Sequence, residues 1–380
     1  MKKLLCLFFC LCLTVNVFSC KKEPIKVTPV VTPPALPTSG LWMYGSTLSS
    51  QDIQTVVNKL ADNNVNEVYL LVKGTSGTKT SADKITDFIT KAHAKEIKVH
   101  LWYTVFQDDA YLATHPAAHV YHSPKPGVNV KPYRNTDSAV NPFYPGYKEY
   151  VLDNIEYFLT NFNCDGIHLD YIRYGHLVYS FDHYSLLKAA SLGCDTTRLL
   201  SFFNTEPNYT NYTSNAGAAF VNLYTNGDQD VVKWVEMRKN IVYEYIKAIK
   251  DTIQLVKPGL KLNAAFMPEG ATDPNMADVY YAQNYARHST ILDMISPMAY
   301  FKDYGQPTSW LQTITQGAIS RVNSGCKISA GLQAYDGVTA AQLNEQITYA
   351  LNGGSYGVIA FRYETITTTD SWNVIKTRFE

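Results

Sequence analysis

Short apolar runs with polar alternation recur along the chain, and between them lie longer stretches whose apolar residues return every three or four positions. The short runs are LWMYG (41–45), NEVYLLVKG (66–74), IKVHLWYTVF (97–106), GIHLDYIRY (166–174), LKLNAAFMPEG (260–270), ILDMISPMAY (291–300), KISAGLQAY (327–335) and YGVIAFRYE (356–364). Helix-spaced stretches cover 50–63, 82–95, 147–162, 233–256, 308–323 and 339–352, the last running into the stop signal Gly353-Gly354. Strand-then-helix units repeated without a large break predict an α/β protein, a (β/α)8 TIM barrel over residues 41–380. A doubly wound sheet with an extra domain is the alternative, but no glycine-rich phosphate fingerprint follows the first run.

Side chains alternate along a strand, so in a barrel one set faces the helices and the other the axis. In the fourth run Ile167 and Leu169 suit the helix layer, which leaves Gly166, His168 and Asp170 inward. In the fifth, Asn263, Ala265, Met267 and Glu269 are the inward set. The same parity selects Trp42, Tyr44, Lys73, His100, Trp102, Tyr300, Gln333, Tyr335, Arg362 and Glu364. Polar and aromatic groups thus gather at the C-terminal ends of separate strands, where barrel enzymes build their sites.

Two carboxylates ringed by Trp, Tyr, Arg and Gln fit cleavage of a glycosidic bond. One acid protonates the leaving oxygen while the other, ionised, attacks the anomeric carbon or activates water. In this reading Asp170 is the nucleophile or base and Glu269 the acid. Arg173, Tyr300, Gln333, Tyr335 and Arg362 hold the sugar, and the aromatic rings offer stacking platforms. The plainer alternatives are an Asp170–Arg173 ion pair closing a strand and a simple turn at MPEG; the position of Asp170 at a barrel mouth favours the functional reading.

Equal numbers of basic and acidic residues, 33 each, remove the electrostatic case for nucleic acid or a polybasic membrane patch. About forty residues follow the third strand and about sixty the fourth, long βα loops of the kind that usually carry function. The first holds His115, His119 and His122, but Pro116, Pro124 and Pro126 interrupt any shared helical face, so no metal and no cofactor are expected. The second, around NTEPNYTNYTSN, reads as a polar cleft wall or a solvated loop.

Met-Lys-Lys followed by LLCLFFCLCLTV reads as an export signal over residues 1–19. Val17-Phe18-Ser19-Cys20 resembles a bacterial lipobox, which would make Cys20 the lipidated residue; a plain secretory signal or a retained anchor are the alternatives. Residues 20–40 hold five prolines and read as a tether. Cys164, Cys194 and Cys326 remain, too few and too widely spaced for a disulfide framework. A monomeric cell-envelope lipoprotein is expected, at the outer membrane, touching the membrane only through its lipid.

Asp165-Gly166-Ile167-His168-Leu169-Asp170-Tyr171 resembles the DGIHLD signature of the bacterial glycosyl-hydrolase-like family ten, many of whose members are exported lipoproteins. VHLWYTVF (99–106) is similar to that family's His-x-Trp third strand, and ISPMAY and GVIAFRY to its later strands. The resemblance implies cleavage of glycan chains, peptidoglycan strands stripped of peptide among them, and supports Asp170, His100 and Trp102 as site residues. Many members carry a second Asp where this chain has Tyr171. The same strand also looks like the chitinase fourth strand, and Met298-Ala299-Tyr300 like its Met-x-Tyr, but Ile172 stands where the chitinase acid would fall. The α-amylase pattern of Asp ending strand four and Glu ending strand five matches Asp170 and Glu269. A non-catalytic glycan-binding lipoprotein is the alternative function. An amide or ester hydrolase is a weaker one, without a Ser-His-Asp order to support it.

Overall fold

Alternating burial closes eight parallel strands into one barrel. The computed structural model describes residues 37–125, 127, 129–205 and 215–380. Its strands are β1 (Thr38–Tyr44), β2 (Glu67–Lys73), β3 (Lys98–Thr104), β4 (Gly166–Asp170), β5 (Lys261–Phe266), β6 (Met294–Pro297), β7 (Lys327–Gln333) and β8 (Gly357–Phe361). Each pairs in parallel with its sequence neighbours, and β1 pairs with β8 to complete the ring. This is the expected (β/α)8 architecture. β1 starts three residues before the expected Leu41, because Thr38, Ser39 and Gly40 pair with Gly357, Val358 and Ile359. The signal, the lipobox Cys20, most of the tether, Pro126 and residues 206–214 of the NTEPNYTNYTSN stretch lie outside the described residues.

Helices α1 (Ile53–Asp62), α2 (Ala82–His93), α3 (Tyr147–Asn161), α4 (Gln229–Val256), α5 (Pro274–Tyr281), α6 (Trp310–Arg321), α7 (Ala340–Asn352) and α8 (Thr369–Arg378) cover the outside. Helix α1 shows why these stretches fold so: Ile53, Val56, Val57 and Leu60 make one buried stripe, and the Asp52 carboxylate accepts from Thr55 N at 2.8 Å as the cap. Helix α7 carries a capping box between Thr339 and Gln342 and ends before Gly354, whose φ of +91° is the left-handed stop.

Two apolar layers result. Outward strand residues such as Ile167, Leu169, Leu262 and Ala264 pack under the helices, whereas Trp42, Tyr69, Trp102, Ala265, Met294 and Ile359 fill the axis. One strand breaks parity: the β2–β3 register shifts between Leu71 and Lys73, a bulge that turns Lys73 to the opposite face.

Both long connections are present, but neither is a plain loop. The first contains a short helix, Asp109–Thr114, and a two-stranded ribbon pairing Tyr121–His122 with Tyr133–Arg134. There His115 stacks on Tyr111 at 4.1 Å and His122 on Tyr133 at 4.9 Å between ring centroids. The second folds into helices His183–Ser191, Thr196–Thr205 and Asn215–Thr225 around a core of Leu177, Phe181, Phe203, Phe220 and Trp234. The expected polar wall is therefore a helical layer with its own apolar centre, and α4 begins at Gln229 rather than 233. Arg238 of α4 locks this layer to the barrel. Its buried guanidinium lies between Tyr174 and Trp234, 4.2 Å from each ring, and donates to the carbonyls of His176, Val279 and Tyr280.

Candidate active site

A cavity of about 600 Å3 opens at the C-terminal mouth. Its floor is Trp42, Trp102, Ala265 and Phe361, and Asp170, the last residue of β4, stands on that floor. Tyr44, Tyr171, Arg173, Tyr300, Asp303, Tyr304 and Tyr335 form the walls with Gly74, Thr75 and Ser76 of the β2 loop.

Asp170 is 7% exposed. Its Oδ2 accepts from Trp102 Nε1 at 3.1 Å and its Oδ1 from Tyr171 N at 2.7 Å. Burial pushes its pKa above the ordinary carboxylate value, against the opposing pull of Arg173 and the two donors. Tyr171 holds φ at +48°, a left-handed conformation uncommon for a non-glycine residue and concentrated at functional sites. Its ring carries the Arg173 guanidinium 4.5 Å from the centroid.

Glu269 starts a helical turn, Glu269–Thr272, because β5 ends at Phe266 and strand alternation stops there. It is not among the cavity's lining residues. Its carboxylate turns instead to the hydroxyls of Tyr281, at 3.0 Å, and Tyr304, at 3.1 Å. Burial raises its pKa, and Arg173 is close enough to oppose the rise as it does at Asp170.

Several residues selected by parity brace the cavity rather than line it. Lys73, turned outward by the bulge, makes a fully buried ion pair with Asp108 at 2.9 Å and donates to the carbonyls of Thr104 and Gln107. Desolvation lowers its pKa to about 8. His168 faces the axis as expected but lies beneath the floor, where its Nε2 accepts from Trp42 Nε1 at 3.1 Å. Burial keeps that ring neutral.

His100 sits at the opposite end of the barrel. It lines a smaller cavity of about 350 Å3 at the N-terminal opening, stacked on Tyr69 at 4.8 Å and bonded to Asn263. At β8 the inward position is Phe361, so Arg362 and Glu364 fall outside: Arg362 covers Tyr44 at 4.3 Å, and Glu364 accepts from Tyr44 N and pairs with Arg362. Gln333 is buried and its amide holds the loop after β6, donating to Asp303 at 3.0 Å and accepting from Lys302 N at 2.9 Å. Asp170, Trp42, Tyr44, Trp102, Arg173, Tyr300 and Tyr335 are brought together.

Sequence reasoning missed Asp303, Tyr304 and Phe361. The available signal was the acid of FKDYG, three residues past the end of the sixth apolar run on the mouth side. Among the described residues no group of three or more His, Cys, Asp or Glu is placed to hold a metal ion.

The profile of the glycosyl hydrolase-like 10 family matches residues 71–350, from within β2 to within α7. The chain belongs to the glycosyl hydrolase-like 10 family. No protein of curated function matches it. The solved structures it resembles share the fold of this glycosyl hydrolase-like 10 chain at low identity. The glycoside hydrolase domain of PgaB (BpsB) from Bordetella bronchiseptica superposes with a TM-score of 0.64 at 12% identity, covering 90% of this chain and 99% of that one. The catalytic domain of β-amylase from Paenibacillus polymyxa gives 0.60 at 10%, covering 90% and 97%. The spore cortex-lytic enzyme SleL from Bacillus cereus gives 0.52 at 10%, covering 92% and 76%. Family membership supports a glycosidase-type function.

Proposed function

We propose that the chain hydrolyses O-glycosidic bonds of a polysaccharide or peptidoglycan-type glycan by a two-carboxylate mechanism centred on Asp170. The observation that carries this reading is a buried carboxyl on the floor of an aromatic-walled cavity at the barrel mouth. Trp102 and Tyr171 N fix its orientation, and Tyr44, Tyr300 and Tyr335 present ring faces and hydroxyls to a sugar. Because burial favours its protonated form, Asp170 suits the proton donor better than the nucleophile or base assigned from sequence. Arg173 lines the cavity, its charge acts on both Asp170 and Glu269, and in this reading it steadies charge as the bond breaks. The peptidoglycan-type substrate draws support from the sequence resemblance and from the cortex-lytic enzyme among the similar folds. Residues 1–40 would attach the enzyme to the cell envelope through a lipid on Cys20; labelling with a fatty acid in wild type and Cys20→Ala tests the attachment.

The decisive experiment is a glycan panel, peptidoglycan strands without peptide and neutral or amino-sugar polysaccharides, read by mass of the products. Wild type releases shorter glycans from at least one. Asp170→Asn lowers that rate by about 10²- to 10⁴-fold, the usual worth of a general acid or base, and still binds. Binding without turnover by the wild type would make the chain a glycan-binding protein instead.

A further inference from the structure

We propose that Asp303 is the second catalytic carboxylate, the base that takes a proton from the attacking water, and that Gln333, Tyr335 and Gln346 position it. The inference rests on the glycoside-hydrolase reading of the same cavity and names the residue that completes it.

Among the described residues, Asp170 and Asp303 are the carboxylates that line the cavity, whereas Glu269 turns its oxygens to Tyr281 and Tyr304. Asp303 stands exposed to water on the loop after β6, and each of its oxygens accepts one hydrogen bond. Gln333 Nε2 donates to Oδ1 at 3.0 Å, and the Tyr335 hydroxyl donates to Oδ2. Gln333 ends β7 and Tyr335 lies two residues beyond it. Gln333 is itself clamped, because its main-chain N and O bond to the side-chain amide of Gln346 in α7, each at 2.9 Å. Both glutamines are fully buried, where an amide is tolerated only with its partners met. A strand and a helix therefore hold one exposed loop carboxylate from behind.

The alternative is a staple for the loop alone. The Lys302 N bond to Gln333 Oε1 already provides that staple, and the Asp303 carboxylate faces the cavity. Asp170, Asp303 and Tyr300 line the same cavity, and the charges of both carboxylates help to raise the Tyr300 pKa, after burial. Burial also pushes Asp170 and Glu269 the same way, while the reaction requires its two carboxyls in opposite states.

The step balances without a further reagent. The water oxygen bonds to the anomeric carbon as Asp303 removes one of its protons. The bond from that carbon to the leaving oxygen breaks with its electron pair on oxygen, which takes the Asp170 proton. Solvent then returns a proton to Asp170 and removes one from Asp303, so the net change is addition of water. A single displacement of this kind inverts the anomeric centre.

The experiment uses the full chain, glycan strands of peptidoglycan and the hexamer of β-1,4-linked N-acetylglucosamine. Asp303→Asn is expected to lower kcat by about 10²- to 10⁴-fold with KM within a few-fold. Tyr335→Phe, which removes one donor to Asp303, should lower kcat with KM within a few-fold, a split that a purely structural tyrosine would not give. Proton NMR of the first-formed product should show the inverted anomer. Retention of configuration overturns the inference. So does an Asp303→Asn enzyme that keeps the wild-type kcat, or the same loss of kcat in Glu269→Gln instead; in these cases the hydrolase reading stands as long as Asp170→Asn is inactive. Absence of turnover by the wild type on every glycan removes both.

Discussion

At the scale of single residues, side chains that look alike in a parity argument do different work. Lys73 and Asp108 are paired where no water reaches, so removing one leaves the other buried without its counter-charge. Lys73→Met is therefore expected to cost about 3–5 kcal/mol, read as a drop in the free energy of urea unfolding. Lys73→Met with Asp108→Asn, which removes the buried charge but keeps an oxygen for the Tyr111 N cap bond, should recover part of that loss; a double variant as weak as the single one would contradict the ion-pair account. Alternation put Lys73 in the inward set because a one-residue bulge leaves no trace in an apolar pattern, yet it reverses the face of everything after it. Asp170 was legible because it ends a regular strand whose outward partners, Ile167 and Leu169, are unmistakably apolar. Asp303 was not, because it lies past the strand, where side-chain direction is set by Gln333 and Tyr335 from another part of the chain. The first acid of the DGIHLD run is legible as a motif but serves the scaffold: Asp165 accepts from Val99 N and from His93, both at 2.8 Å, tying β4 to β3 and α2.

At the scale of elements, the strands were readable and their ends were not. β5 looked long enough to carry Glu269, but pairing with β6 ceases at Phe266 and Pro297, and the chain turns helical. The same limit applies to the segment after β4. Its Asn, Tyr and Thr residues read as a polar loop, while the apolar residues that make it a helical layer, Phe181, Phe203 and Phe220, are spread over separate helices that meet only in three dimensions. What fastens that layer is Arg238, whose planar fork reaches three carbonyls while its faces meet Tyr174 and Trp234. Lysine has neither the fork nor the flat surface. Arg238→Lys is expected to cost about 1.5–3 kcal/mol through lost charge-assisted hydrogen bonds. Because His176 follows Tyr174 out of β4, the variant should also speed amide exchange across 174–182 more than in the barrel strands. Uniform exchange through the whole molecule would show that the arginine secures the fold at large and not this layer.

At the scale of the whole molecule, the barrel was legible because one motif repeats, so errors of a few residues at each strand do not alter the count or the closure. Its acid stability follows from chemistry that no repeat reveals, the burial of neutral histidines. His176 and His288 are buried, their Nδ1 atoms accept from Val178 N and Asn284 N, and desolvation lowers both from about 6.5 to about 3. Between those values the unfolded chain binds more protons than the folded one, so stability rises with pH. Their contribution is complete above the ordinary histidine value and is lost as pH falls from about 6.5 toward 3, by at most about 1.4 kcal/mol per pH unit for each histidine. Asp170 acts in the opposite sense in a different window: its raised folded pKa favours the fold below the ordinary carboxylate value, a benefit lost as pH rises through the folded one. The histidine slope can be isolated with His288→Asn, whose Oδ1 replaces the Nδ1 acceptor of the Asn284 N bond without a group that protonates. Urea unfolding free energy measured from pH 8 to pH 4 should fall less steeply toward acid for this variant than for wild type, and the two curves should share one slope above pH 7. Parallel slopes across the acid range would mean that His288 already carries its proton inside the folded barrel, against the direction that its burial imposes.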